Sequence, residues 1–121
     1  YAAYIARFLG FVDMDTFEGK VSHLQHNRIV AGQEPLSAEE LRRMPEYESA
    51  VKLFNLALEK LGDVDQVSTF ALGRAYVMGQ EWEKVEECRV ALERDPATAK
   101  LATELSAMAT KHAAKVGHGA E

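Results

Sequence analysis

Apolar residues recur at helical spacing through the middle of this chain. Residues 46–61 carry one apolar stripe, residues 64–79 carry a second, and residues 82–95 carry a third. Apolar positions at i, i+3, i+4 and i+7 are typical of an amphipathic helix that packs on another helix. The stripe of the first segment comprises Tyr47, Ala50, Val51, Phe54, Ala57, Leu58 and Leu61. The pattern therefore predicts three consecutive packed helices.

Glycine or proline follows each of these three segments, at Gly62, Gly79 and Asp95-Pro96. Glycine just beyond a helix commonly takes the left-handed conformation that closes the last turn, and proline cannot continue a helix. The short connections predict antiparallel neighbours. We expect Phe54 and Phe70 to face a core that the first two helices share.

The N-terminal third predicts two further helices. Residues 1–9 form an aromatic-rich helix that ends at Gly10. Asp15 then opens a second helix as its N-cap, with Glu18 at the capping-box position. That helix ends near Gly32, which again supplies the glycine that helix ends favour.

Two more helix starts follow along the chain. Ser37 precedes Glu40 by three residues, which is a capping box for a short helix that Pro45 ends. Asp95 and Pro96 have the residue types of an N-cap and a first helical residue, and they predict a last helix. The apolar series of that helix is Leu101, Leu105, Met108 and His112. A glycine-rich tail at 116–121 follows it.

These elements predict an all-α fold of six to seven helices, arranged as antiparallel helical hairpins. Runs of alternating polarity and Asn-Gly turns, the usual signals of strands, are nearly absent. A length of 121 residues indicates one domain. Within it we distinguish an N-terminal docking segment at 1–11, a helical-hairpin core at 12–95, and a C-terminal helix and tail at 96–121.

Composition narrows the classes of function. The chain is 47% hydrophobic and 27% charged, which is the range of ordinary globular proteins. Its net charge of -5, with scattered Lys and Arg, argues against nucleic-acid binding. No apolar run is long enough to span a bilayer. The single cysteine, Cys88, lies on an apolar stripe and is interpreted as a buried, unreactive thiol.

The residues that could carry chemistry do not form a complete site. Asp13, Asp15 and Glu18 lack the further oxygen ligands and central glycine of a calcium loop. His23 and His26 have the spacing of a helical metal pair, but no third ligand follows at a matching interval. The chain also contains neither a Gly-x-Ser-x-Gly elbow nor a glycine-rich phosphate loop. We therefore assign no catalytic, cofactor-binding or metal-binding residue and predict that the protein is not an enzyme.

Protein docking is the function class that remains. The first eleven residues contain six large apolar side chains, and a terminal helix of this kind packs on its own domain or on a partner. Aromatic residues left over after the core is filled are the expected anchors of a contact with another protein. Our candidates for partner contact are Tyr1, Tyr4, Phe8, Tyr47 and Trp82.

The segment from Leu72 to Pro96 resembles a degenerate tetratricopeptide repeat. The matching positions are Leu72-Gly73, Tyr76, Trp82, Val85, Ala91 and Asp95-Pro96. That repeat packs a small residue and an aromatic residue between two helices and ends in a proline. The resemblance implies a right-handed array of helix pairs and an adaptor that holds a peptide of a partner in a groove.

A second resemblance covers residues 6 to about 82. These residues resemble the nuclear-encoded cytochrome c oxidase subunit called Va in animals and VI in fungi. In that family an aromatic segment leads into an acidic-apolar-acidic turn, an aromatic residue and a helix, and later come a proline loop and three more helices. The matching stretches here are Ala6-Arg7-Phe8, the segment 13–18, Glu34-Pro35, the segment 38–43, the segment 46–54 and the segment 70–79.

This second resemblance implies a supernumerary subunit on the matrix face of the mitochondrial oxidase, with no haem or copper of its own. Its partners are other protein subunits of a membrane complex, without nucleic acid and without a transmembrane span. The start at Tyr1, without an initiator Met, is expected after removal of a targeting segment, and an incompletely observed terminus gives the same pattern. Some forty residues extend beyond the usual end of the family. The alternatives are a tetratricopeptide-like adaptor, which could be cytoplasmic, and an accessory subunit of another organellar complex.

Overall fold

The structure is a computed structural model that describes residues 2–61 and 66–120, with side chains described as far as Ala114. This part of the chain contains six helices and no strand, so the all-α prediction is confirmed. The helices are α1 (Ala2–Val30), α2 (Ala38–Arg42), α3 (Pro45–Leu61), α4 (Gln66–Met78), α5 (Trp82–Glu93) and α6 (Ala99–Ala120). Tyr1, Gly62, Val64 and Glu121, on which parts of the prediction rest, lie outside the described residues.

The first helix does not end at Gly10, which corrects the prediction of two separate helices. Gly10 is buried in the middle of α1, and a Cβ atom there would lie 2.8 Å from Cε1 of Phe54. The glycine therefore makes room for the Phe54 ring. It does not terminate the helix, because glycine in a helix interior weakens the helix without breaking it.

The acidic residues of α1 contact other helices and do not cap a new one, which is the second correction in this region. Asp13 accepts a hydrogen bond from the Ser49 hydroxyl of α3. Glu18 lies 3.3 Å from Arg74 of α4 in a half-exposed ion pair. The predicted N-cap, Asp15, is an exposed residue within the helix. Helix α1 is continuous through residues 13–18. The turn that the oxidase-subunit resemblance implies there is therefore absent.

The ends of α1 and α2 agree with the sequence prediction. Gly32 has φ 71, and the Gln33 N–H donates to the Arg28 carbonyl at 2.8 Å, which together close the last turn of α1. Ser37 forms the predicted capping box with Glu40, since each side chain bonds the backbone N–H of the other residue. Pro45 is the first residue of α3, where its lack of an N–H costs no hydrogen bond.

Helix α3 lies at the centre of the hydrophobic core. Tyr47, Ala50, Phe54 and Ala57 on its predicted stripe are all buried. Helix α1 runs antiparallel to it, because Gly10 meets Phe54 whereas Lys20 bonds Glu46 at 2.5 Å. Phe70 of α4 is partly buried against the same core, as the sequence predicted.

The turn between α4 and α5 is fixed by Tyr47. The predicted end of α4 near Gly79 is correct, but the residue with positive φ is Gln80, at 57°. Gly79 serves a different purpose, because a Cβ atom there would lie 2.2 Å from the Tyr47 hydroxyl oxygen. Tyr47 donates to Glu81 at 2.5 Å, and Arg42 donates to the Gly79 carbonyl at 2.9 Å. The start of α3 is thereby joined to the far end of α4.

The last helix begins later than predicted. Asp95 caps a turn, accepting from the Ala97 N–H at 2.9 Å, and α6 starts at Ala99. The buried residue at this junction is Thr98, whose hydroxyl donates to the Leu92 carbonyl at 2.6 Å. From there α6 returns along α5 and buries Leu105 completely. Its helical backbone continues through Ala120, where the sequence predicted a glycine-rich tail.

Candidate docking surface

One side of α1 carries large apolar side chains that the rest of the chain leaves exposed. We define the outer face of α1 by six residues that are between 36% and 60% exposed. They are Tyr4, Ile5, Phe8, Leu9, Phe11 and Val12. Apolar side chains exposed singly are ordinary, whereas a contiguous group of this size marks a contact surface on a soluble domain.

This surface exists because α1 lies at the edge of the helical array. The opposite side of the helix, with Ala3, Ala6, Gly10, Met14 and Phe17, packs inward. Small residues there let α1 approach α3 closely, and Phe11 reaches round to make an edge-to-face contact with Phe54 at 5.2 Å. With its inner side filled, the helix has no described element to cover the other side. The outer face of α1 is therefore available to another molecule.

The outer face of α1 has few charges. Arg7 is the one charged side chain between residues 2 and 12. Its guanidinium carbon lies 5.1 Å from the centre of the Tyr4 ring, within the range of a cation–π contact. Burial of an unpaired charge in an apolar interface costs free energy. The small number of charges on this part of α1 therefore favours a dry interface with a protein.

The character of the outer side of α1 changes sharply beyond Val12. The next exposed residues along it are small or polar, and we refer to them as the small-residue segment. They are Asp15, Thr16, Gly19 and Ser22. A Cβ atom at Gly19 would meet nothing within 4 Å, so the packing of this chain does not require glycine there. Between residues 4 and 22 the outer side of α1 thus changes from bulky to slender side chains.

Two of the five predicted contact residues lie on this surface. Tyr4 and Phe8 are 56% and 60% exposed and one helical turn apart. Trp82 lies elsewhere, at the start of α5, where it is 39% exposed and its ring centre is 6.2 Å from that of His112. Tyr1 is outside the described residues.

The prediction that Tyr47 is a partner-contact residue is corrected, because Tyr47 is 3% exposed and belongs to the core. Its ring packs on Phe17 at 5.3 Å, and its hydroxyl bonds Glu81. Burial and the neighbouring Glu81 carboxylate raise the pKa of Tyr47 far above its ordinary value, so the hydroxyl stays protonated. The apolar stripe of the sequence already placed Tyr47 on the buried side of its helix. That position is a better guide to its role than its aromatic side chain.

The sequence prediction did not select Ile5, Leu9 and Val12 as contact residues, although they extend the outer face of α1. The signal that reveals them is helical phase. If residues 2–17 are read as one helix, Ala3, Ala6, Gly10, Met14 and Phe17 fall on one side and the larger apolar residues on the other. Reading Gly10 as a helix end removed that signal.

Apart from the outer face of α1, the structure has a groove between α3, α4 and α5. It is a groove of about 430 Å³, lined by aliphatic side chains and by polar groups that include Asn55, Tyr76, Lys84 and Arg94. The Asn55 amide nitrogen lies 3.4 Å from the Tyr76 hydroxyl oxygen. Acidic and basic side chains, Glu87 and Asp95 with Lys84 and Arg94, occur together along it. The groove thus has no single charge to select a ligand.

Cys88 lines this groove but does not have the properties of a nucleophile. It is 6% exposed, and burial raises the pKa of its thiol to about 12 from an ordinary value of 9.0. A reactive cysteine requires the opposite shift, because the thiolate is the attacking species.

The pH dependence of stability tests the burial of Cys88. Because its folded pKa is the higher one, the thiol contributes stability that is present below pH 9 and is lost as the pH rises towards 12. Between these values the unfolded chain ionises first, so the free energy of unfolding falls. Relative to wild type, Cys88→Ala should have a slope shallower by up to about 1.4 kcal/mol per pH unit in urea titrations. Equal slopes would contradict this assignment, whatever the difference in absolute stability.

Within 2–61 and 66–114, no group of three or more His, Cys, Asp and Glu side chains is placed to hold a metal ion. His23 and His26 are exposed, and Nε2 of the His23 ring lies 3.3 Å from the Asn27 amide nitrogen. No described helix is long and apolar enough to cross a membrane.

In comparisons with known proteins, no protein-family model, curated protein or solved structure matches this chain.

Proposed function

We propose that this protein is a non-catalytic accessory subunit that docks on a partner protein through the outer face of α1. The single observation that carries the proposal is the exposure of six large apolar side chains on one side of the helical segment 4–12. Tyr4 and Phe8 are the proposed anchors, because aromatic residues contribute most of the binding energy in interfaces of this kind. No redox group or substrate chemistry is part of this role.

The specific partner that we propose is the mitochondrial cytochrome c oxidase, on its matrix side. The support is the resemblance of residues 6–82 to the oxidase subunit called Va or VI, together with the placement of the segment Ala6-Arg7-Phe8 on the docking helix. The closest matching segment, 46–54, begins the central helix α3. The continuous α1 departs from that family at 13–18, where the resemblance implies a turn.

Co-purification tests this specific proposal. The chain, with an affinity tag at its C-terminus, is mixed with a detergent extract of mitochondrial membranes from the source organism. We expect the recovered material to show the absorbance of the haem-bearing oxidase core in stoichiometric amounts. Recovery of the tagged chain without haem would overturn the oxidase assignment, while docking on another complex would remain open to the same assay.

A tetratricopeptide-like adaptor is the second candidate, and the groove between α3, α4 and α5 is the observation that favours it. In this reading the helix pairs form a right-handed array, and the groove holds an extended peptide of a soluble partner. The two candidates differ in the surface that they use. Substitution of Tyr76 and Lys84 in the groove should abolish adaptor binding, whereas substitution on the outer face of α1 should leave it unchanged.

A further inference from the structure

We infer that the groove between α3, α4 and α5 binds a small monocarboxylic acid, with the carboxylate at the Tyr76 hydroxyl and an apolar chain along the groove floor. This inference goes beyond docking through the outer face of α1, because no residue that lines the groove lies on that helix. It also differs from the adaptor candidate, in which the groove holds a peptide. Three features support it: an unused hydroxyl hydrogen, a lysine without a hydrogen bond, and an apolar floor.

The Tyr76 hydroxyl is a buried donor that the described part of the chain leaves unused. Tyr76 is 7% exposed, and it lines the groove together with Asn55. The Asn55 amide nitrogen donates to the Tyr76 oxygen at 3.4 Å and to the Val51 carbonyl at 3.0 Å, which fixes the orientation of the amide. A hydroxyl can accept and donate at once, but no described residue accepts the hydrogen of Tyr76. Because buried polar groups are normally satisfied, a ligand with an acceptor oxygen fits this position.

Lys84 adds a positive charge beside this hydroxyl. It lines the same groove from the first turn of α5. Burial raises the pKa of Tyr76, whereas the charge of Lys84 acts in the opposite direction, as expected for an ammonium group close to the hydroxyl. The Glu87 carboxylate is 3.9 Å from the ammonium nitrogen, beyond hydrogen-bond range, so no described residue accepts the ammonium hydrogens. A hydroxyl and an ammonium group that both lack an acceptor favour a carboxylate, whose charge strengthens the bonds that it accepts.

The acidic side chains of the groove do not oppose a carboxylate at this end. Asp95 follows the far end of α5 and already accepts hydrogen bonds, from the Ala97 N–H at 2.9 Å and from the Gln66 amide at 3.5 Å. The Glu87 side chain is 72% exposed, so water screens its charge. Although the groove as a whole carries both charges, the end at Lys84 therefore offers more donors than acceptors.

The floor of the groove suits an apolar chain. Leu72, Cys88 and Leu92 line it, and each is at most 6% exposed. The lining of the groove follows α5 from Lys84 to Ala91, which is about 11 Å of helix and close to the length of an extended eight-carbon chain. The volume of about 430 Å³ lies within the range of small-molecule sites.

Isothermal titration calorimetry of the full chain with sodium octanoate tests the site, and octan-1-ol is the neutral ligand of the same chain length. We expect octanoate to bind at a single site with a dissociation constant on the order of 1 mM or below, and at least tenfold more tightly than octan-1-ol. Equal affinities would show that the carboxylate is not recognised and would overturn the inference. The absence of octanoate binding would overturn it as well.

Two substitutions remove the proposed donors singly. Tyr76→Phe deletes only the hydroxyl, and Lys84→Met deletes the charge of a side chain that is 53% exposed, so the second variant should fold as wild type does. Each should weaken octanoate binding at least fivefold. Lys20→Met is the matched control, because it removes the same charge from α1, outside the groove. Equal octanoate affinity of the Lys84 variant and this control would contradict the site.

Glu87→Gln tests the site in the opposite direction. It removes the anion nearest to Lys84 without shortening the side chain, so octanoate should bind at least twofold more tightly than it binds wild type. A substitution that only disturbed the fold would not strengthen binding. Unchanged or weaker binding by Glu87→Gln would show that the carboxylate does not lie beside Lys84 and would overturn the inference.

Discussion

Phe54→Ala should lower the free energy of unfolding by about 3–5 kcal/mol, the range of large-to-alanine changes in close-packed cores. Phe54 is completely buried at the centre of α3. Its ring packs against the backbone of Gly10 and against the edge of Phe11, so its loss leaves a cavity between α1 and α3. Urea denaturation followed by far-ultraviolet circular dichroism measures the effect.

Phe8→Ala is the matched control for this prediction, because it removes the same side chain from another helix of the same protein. Phe8 is 60% exposed, so the substitution should change stability by less than about 0.5 kcal/mol in dilute solution. Similar losses at the two positions would show that Phe8 is a core residue and that the outer face of α1 is not a surface.

Gly79→Ala should destabilise the protein by about 2–4 kcal/mol, although it adds a single methyl group. The new carbon would lie within 2.6 Å of three atoms of Tyr47, so the buried ring has to move. Overpacking of this kind costs about 1–3 kcal/mol, and the displaced hydroxyl also loses its bond to the Glu81 carboxylate.

Gly19→Ala provides the contrasting result for the same chemical change. With open space at Gly19, alanine should stabilise the monomer by about 0.5–1 kcal/mol. Thermal denaturation of both variants in dilute solution compares them directly. A Gly79→Ala protein as stable as wild type would mean that Tyr47 does not lie against the α4–α5 turn.

The helices themselves were largely predictable from local sequence signals. The capping box at Ser37, the end of α2 before Pro45 and the end of α1 near Gly32 all depend on a few neighbouring residues, and each was correct. The buried stripe of α3 was equally clear, because helical periodicity over 17 residues leaves one consistent phase.

The sequence predictions were wrong where a residue contacts a part of the chain that is distant in sequence. Gly10 is glycine because Phe54 lies against it, 44 positions away, and no local pattern distinguishes that use from a helix end. Asp13 and Glu18 likewise bond Ser49 and Arg74 on other helices. The local sequence instead suggested a capping box between Asp15 and Glu18. The outer face of α1 was therefore predicted only in part, since its extent depends on a helix that continues through Gly10.

The most direct test of docking through the outer face of α1 compares two double variants in the oxidase co-purification assay. Tyr4→Ser with Phe8→Ser removes the proposed anchors. Ile29→Ser with Val30→Ser removes two apolar side chains that are 72% and 73% exposed at the other end of the same helix. Both variants should retain the helical content and melting temperature of wild type.

We predict that wild type and the Ile29→Ser, Val30→Ser control recover equal amounts of haem-bearing oxidase, whereas the anchor variant recovers at least tenfold less. Equal recovery by both double variants would contradict docking through the outer face of α1. Absence of haem from the wild-type sample would contradict the assignment to the oxidase.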